Sequence, residues 1–240
     1  MFVGDCRSLP QFGKTQEVRL IAVLMDLQTR LSLSAQGINE ETRAEDVAPI
    51  PVAGEFHPDF VSAWQAVYQR AWQRAHFEKF IYLPSSLPEF VKHPDVLRGE
   101  IGPEIDLSQY FVENASLRRS LPALTSAVGL ILMDRARLDM IFHRRGPYAG
   151  LSETVLVEQR QMVSDLIAGL PGRIEMLVCD IEVARLSPGA VVGDMVVLGA
   201  MGGYVVTQND RLAAVINARC RDASKNCETL VDYLAALDDA

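Results

Sequence analysis

Residues 127–133, AVGLILM, 174–179, IEMLVC, and 190–207, AVVGDMVVLGAMGGYVVT, are three apolar runs separated by helix-like segments and tight glycine turns, and they read as the strands of a sheet. Turn-forming residues punctuate them: Pro171-Gly172 before the second, Ser187-Pro188-Gly189 before the third and Met201-Gly202-Gly203 inside it, where Val191–Leu198 reads as one strand interrupted by Gly193-Asp194. Between the first two runs lie segments of helical period. Strand-like runs alternating with helices predict an α/β fold, with a mixed sheet of about four or five strands covered by helices.

Outward from this stretch the periods continue. Ala136, Leu138, Ile141 and Phe142 supply the apolar content of a helix over 134–143, with Asp134 as its cap and Gly146 as its stop. Leu151 to Leu170 carries a longer helical stripe with Ser152 as N-cap, ended by Pro171-Gly172. Lys79–Leu83 is aromatic and β-branched and ends at Pro84, which predicts a short strand and a turn at PSSLP. Asn209 or Asp210 is placed to cap a helix to about Arg221, and 228–237 predicts a terminal helix.

Upstream, Val61, Trp64, Val67 or Tyr68, and Ala71 or Trp72 mark one face of a helix over 59–77. Leu87 to Gly99 reads as a short helix that Pro94 bends or breaks, and Asp106 to Leu121 as another. Val18, Ile21, Leu24, Leu27 and Leu31 predict an amphipathic helix near the N-terminus. Residues 34–58 mix acids, glycine and three prolines without a period, as a surface connection does. The expected organisation is an N-terminal helix and linker over 1–57 and an α/β domain over 58–240.

The order of strand VGLILMD (128–134), helix RARLDMIFHRRG (135–146), the Tyr148-x-Gly150-Leu151 turn, helix VLVEQRQMVSDLIAGLP (155–171), strand RIEMLVCD (173–180) and VVGDMVVLGAMGGYVVT (191–207) resembles a known effector domain. It is the one that follows the DNA-binding helix-turn-helix in Cro/repressor-like bacterial transcriptional regulators, with FIYLPSSLPEF (80–90) as its entry. The resemblance implies a ligand-sensing or protein-interaction role in transcription regulation, and it brings no catalytic residues. Residues 1–57 depart from the pattern, because one convincing helix precedes the linker and a helix-turn-helix needs two. The alternatives are a small-molecule enzyme of unknown reaction and a non-catalytic adaptor protein.

Composition narrows these classes. Of 240 residues, 23 are Lys or Arg and 31 Asp or Glu, and the net charge of −8 opposes docking along a polyanion, so direct nucleic-acid binding by this chain is not expected. The longest apolar runs fall far short of the roughly 20 residues that span a bilayer. The opening MFVGDCRSLPQFGK lacks the apolar core of a secretory leader, so the expected compartment is the cytoplasm. Cys6, Cys179, Cys220 and Cys227 have no C-x-x-C pair and no histidine at ligand spacing, which predicts reduced thiols and no metal. Gly202-Gly203-Tyr204 lacks the Lys-Ser/Thr of a phosphate loop, and no cofactor is expected.

Candidate ligand contacts are Arg144, Arg145, Tyr148 and Tyr204. Paired guanidinium forks match phosphate or carboxylate groups, which points to a small anionic or aromatic ligand. The competing account of the two arginines is a cationic helix end that complements the dipole. Asp134, His143, Tyr148 and Asp180 fall near strand ends and could form an acid–base set, although Asp134 also reads as a helix cap. Trp64, Tyr68 and Trp72 recur every four residues and face either a core or a partner, and a homo-oligomer is expected.

Overall fold

The computed structural model describes residues 54–57, 60–73, 79–84, 86–101, 108, 112, 128–169, 174–180, 189–200 and 203–238. The helix expected near the N-terminus and most of that expected over 106–121 lie outside the described residues. The α/β class holds, but the described residues form eight strands in one sheet and six α-helices, more strands than the apolar runs suggest.

In chain order the elements are β1 (Gly54–His57), α1 (Phe60–Gln73), β2 (Lys79–Leu83), a 3₁₀ turn (Glu89–Val91) and α2 (Pro94–Ile101). Then come β3 (Val128–Asp134), α3 (Arg135–Phe142), a second 3₁₀ turn (Gly146–Tyr148), α4 (Glu153–Gly169) and β4 (Ile174–Cys179). The chain closes with β5 (Gly189–Val192), β6 (Met195–Ala200), β7 (Gly203–Gln208), α5 (Asp210–Ser224), β8 (Glu228–Thr229) and α6 (Leu230–Asp238). The sheet order is β1-β7-β6-β5-β2-β3-β4-β8. Strands β2, β3 and β4 run parallel, and every other pairing is antiparallel.

The extra strands have local causes. Gly193-Asp194 does not merely interrupt one strand: Val192 pairs with Met195 across it, and Gly193 takes φ +60°, the left-handed region glycine supplies at the first position of a tight hairpin. β1 takes in the last residues of the stretch read as a connection and pairs with β7, Phe56 opposite Val205. β8 has two residues, too few for any period to announce.

Helix ends follow the expected chemistry. The Asp134 carboxylate accepts from Ala136 N, the Ser152 hydroxyl from Val155 N, and the Asn209 side chain from Leu212 N at 2.9 Å. Pro94 breaks the 87–99 segment: a 3₁₀ turn precedes it and α2 starts on it, where its missing N–H costs nothing.

Alternation along the strands divides the core. Phe80, Tyr82, Ile131, Met133, Met176, Val178, Val192 and Val197 point to one face, under α1, α3, α4 and α6. Ile81, Leu83, Leu132, Cys179, Val191, Val196 and Leu198 point to the other, under Leu212, Ala213, Ile216 and Cys220 of α5. Trp64 of α1 is buried, edge-on to Phe80 with ring centroids 6.4 Å apart and 6.1 Å from Tyr82. The side chains of Tyr68 and Trp72 lie outside the described residues. Among the described residues no helix is long and apolar enough to cross a membrane.

The cysteines correct the expectation of reduced thiols. Cys179 and Cys227 are joined by a disulfide, and among the described residues Cys220 is the free cysteine. Cys220 and Cys227 do not pair: α5 ends at Ser224, and the turn after it carries Cys227 to β4 instead.

Gly129 of β3 lies opposite Phe80 of β2, and a Cβ on it would overlap the Phe80 ring. Gly129→Ala is expected to cost about 1–3 kcal/mol by overpacking. Urea unfolding of Gly129→Ala checks this, and adding Phe80→Leu should return part of the loss.

Candidate functional site

The polar groups that converge in the core come from the segment leaving β2. Pro84 ends the strand, Val91 N donates to Pro88 O at 3.0 Å, and the resulting 3₁₀ turn buries Glu89, Phe90 and Val91. Turning the chain inward there buries two charged residues, Glu89 and Lys92, which remain inside only if paired.

They are paired within one cluster. Lys92 Nζ lies 2.6 Å from Glu100 Oε2 of α2 and 3.7 Å from Glu89 Oε1, with its side chain 1% exposed. The Ser86 hydroxyl donates to Glu100 Oε1 at 2.6 Å, and the Tyr148 hydroxyl donates to the same oxygen at 2.8 Å. Tyr82 of β2 donates to Glu89. Glu100 therefore accepts three donors, two from the segment leaving β2 and one from the turn after α3, and Lys92 sits between two carboxyl groups.

Burial raises the Glu89 carboxyl above its ordinary range, the positive charge of Lys92 opposes that, and the negative charge of Glu100 adds to it. Tyr148 is pushed up as well, first by burial and then by Glu100, so its hydroxyl stays a donor. Lys92, between the two carboxyl groups, supplies the positive charge that lets both lie inside.

Helix α4 clips the same segment. The fully buried Gln159 accepts from His93 N at 2.6 Å and donates to Val91 O at 2.9 Å. His93 Nδ1 accepts from Asp95 N at 3.1 Å, which puts the ring proton on Nε2, 3.0 Å from Glu158.

The residues expected to bind ligand are distributed differently. Arg144 and Arg145 are exposed at the end of α3, and Tyr148 is buried with its hydroxyl on Glu100. Tyr204 lies on β7, four strands from β3, a lateral distance of about 19 Å at roughly 4.8 Å per strand. The structure thus brings Arg144, Arg145 and Tyr148 into one turn and places Tyr204 on a distant strand.

Of the acid–base set, Asp134 and Asp180 end neighbouring strands, since Asp134 pairs with Cys179, whereas His143 lies apart and the Tyr148 hydroxyl is engaged by Glu100. Asp134 caps the start of α3 and His143 is exposed at its end, about 13 Å away by helical rise. Among the described residues no group of three or more His, Cys, Asp or Glu is placed to hold a metal ion.

The turn after α3 has a specific geometry. Arg145 N donates to Met140 O at 2.8 Å and Arg144 N to Ile141 O at 3.1 Å, the bond pair of a Schellman termination. The helix therefore stops before Gly146. Arg144 occupies the left-handed position with φ +52°, where glycine is the usual residue. Its guanidinium is 3.9 Å from Glu153 and half exposed.

Glu89, Lys92, Glu100 and Gln159 were not singled out in the sequence. The one local signal is the Glu89-x-x-Lys92 spacing, common on solvated surfaces. Glu100 and Gln159 carry no signal of their own, because their partners lie as far as 68 residues away.

No family model matches the sequence, and no curated protein matches it. Among solved structures the chain is similar to one described as TrmBL2, an archaeal chromatin protein with a novel mode of DNA binding. The identity is 10% and the TM-score 0.33, over 88% of this chain and 65% of that one, so this chain spans less than two thirds of its length. A likeness of that strength carries no functional assignment.

Two predictions follow from the buried cluster. Lys92→Met leaves two carboxyl groups facing each other without their cation, an expected loss of about 3–5 kcal/mol, read by urea unfolding. Glu89 titrates in the opposite sense to a salt-bridged acid: the folded state holds its proton more tightly than the unfolded chain. Its contribution is therefore full below its ordinary value of 4.5 and is lost as pH rises through the higher folded value. Glu89→Gln keeps an acceptor for Tyr82 and should flatten the decline of stability with rising pH, measured between about pH 4 and about pH 8.

Proposed function

We propose that this chain is the effector part of a bacterial transcriptional regulator, a cytoplasmic ligand-sensing or protein-interaction domain that works as a homo-oligomer. The ligand is a small anionic or aromatic molecule held at the turn after α3 by Arg144 and Arg145, with Tyr148 beneath them. Tyr204, four strands away, does not reach that ligand and is left out of the site. DNA recognition is left to another segment or partner, because the net charge of −8 repels a polyanion.

The observation that supports this reading best is Arg144 itself. A non-glycine residue in the left-handed region costs roughly 1–2 kcal/mol, and such residues concentrate at ligand clamps and switches. Here the strained residue is an exposed arginine followed by a second exposed arginine. Both forks are presented from a rigid helix end, the kind of support that preorganises a carboxylate or phosphate contact. The order of strands and helices that resembles the regulator effector domain is the second support.

Arg144→Gly separates binding from folding, because glycine is the residue the backbone prefers there. The variant should be at least as stable as the parent, by up to about 1 kcal/mol. In a thermal-shift screen of anionic and aromatic metabolites, hits should stabilise the parent and do so less in Arg144→Gly and Arg145→Ala. Hits that stabilise both variants as fully as the parent would remove the arginine site. A monomer by sedimentation at every accessible concentration would remove the oligomer.

A further inference from the structure

We propose that the Cys179–Cys227 disulfide is a reversible redox clasp that controls docking of the C-terminal segment 227–238. The proposal is independent of any ligand at the Arg144 turn.

The placement of the two cysteines is set by strand register. β4 and β8 pair antiparallel with Val178 opposite Glu228 and Leu177 opposite Thr229. One further step along that ladder puts Cys179 opposite Cys227, and their Cα atoms are 4.8 Å apart. α5 leaves β7, packs across the second face of the sheet and ends in the turn that brings Cys227 to this edge.

Little else holds β8 to the sheet. The strand has two residues and occupies the edge of the sheet. Arg135 Nη2 is 2.6 Å from Glu228 Oε1, with side chains 45% and 31% exposed, and such a pair is worth little in water. Beyond it α6 inserts Leu230 and Tyr233 into the core, and the Tyr233 hydroxyl donates to Asp139 at 2.8 Å. α6 lays one face on the core through Leu230, Tyr233, Leu234 and Leu237, and the crosslink ties down the chain just before that helix begins.

Accessibility favours exchange at one sulfur. Cys227 is half-buried in the turn after α5, whereas Cys179 is buried between the sheet and α5. In the reduced protein the Cys227 thiolate attacks a low-molecular-weight disulfide such as oxidised glutathione, forming a mixed disulfide and releasing one thiol. The Cys179 thiolate then attacks the Cys227 sulfur and releases the second thiol. Two protein thiols are oxidised, one small disulfide is reduced, and the two protons pass to the departing thiolates. Reduced glutathione reverses both steps. Cys220 stays outside the cycle, buried with its thiol pushed up to about 12 by burial.

The test equilibrates the full chain in glutathione buffers from fully oxidised to fully reduced. Alkylation with mass spectrometry reads the thiols, and hydrogen exchange reads residues 227–238. Between the two extremes the pair should interconvert. The reduced form should exchange at least about tenfold faster over 227–238, with 153–169 and 195–200 unchanged. Cys220→Ser should behave as the parent, and Cys227→Ser should exchange fast in every buffer. A bridge that survives fully reduced glutathione is a static crosslink and overturns the proposal. So do thiols that stay unpaired in oxidised glutathione, a reduced form with unchanged protection at 227–238, and a reduced form that loses protection everywhere.

Discussion

Strand β2 has both edges and both faces occupied, and the rest of the molecule is arranged around that. β3 pairs parallel on one side and β5 antiparallel on the other, so the sheet changes character across a five-residue strand. Phe80 and Tyr82 point into one core and Ile81 and Leu83 into the other. The Phe80 ring fits only because β3 offers Gly129 opposite it, and Trp64 closes over both aromatics from α1. A strand buried on both sides is apolar along its length, and FIYL is, save for the Tyr82 hydroxyl, which donates to Glu89.

The same strand explains why charged residues lie inside. The chain leaves β2 through a proline-bounded turn that folds back beneath it, and Glu89 and Lys92 go with it. Hydroxyls of Tyr82, Ser86 and Tyr148 and the carboxylate of Glu100 complete the pairing, so elements far apart in sequence are tied through one small polar volume. Removing one member of such a cluster leaves another buried and unpaired. Tyr148 joins this volume to the turn that carries Arg144 and Arg145, so the exposed arginines rest on a fixed base rather than on a free loop.

The two edges of the sheet are treated differently. At one end β1 adds four residues to β7, with Arg70 of α1 reaching Glu55 across it. At the other, β8 adds two residues to β4, and the covalent bond between Cys179 and Cys227 extends the ladder where hydrogen bonds stop. The weakly paired edge is the one that carries the crosslink.

What the sequence determined by itself is what short-range chemistry encodes. The apolar runs at 79–83, 128–133, 174–179 and 203–207 and the caps Asp134, Ser152 and Asn209 all act within a few residues, and each is found where its local signal puts it. The tertiary structure alone decided which strands pair, that Arg145 N would close the helix before Gly146, and that Tyr204 would lie far from Arg144. It also decided that Glu89, Lys92 and Glu100 would share one buried volume and that Cys179 would meet Cys227 across 48 residues. The physical reason is common to these cases. Periodicity reports which face of an element is apolar, whereas the partner of a buried charge or thiol is fixed only when the helices pack and the register of the strands is set.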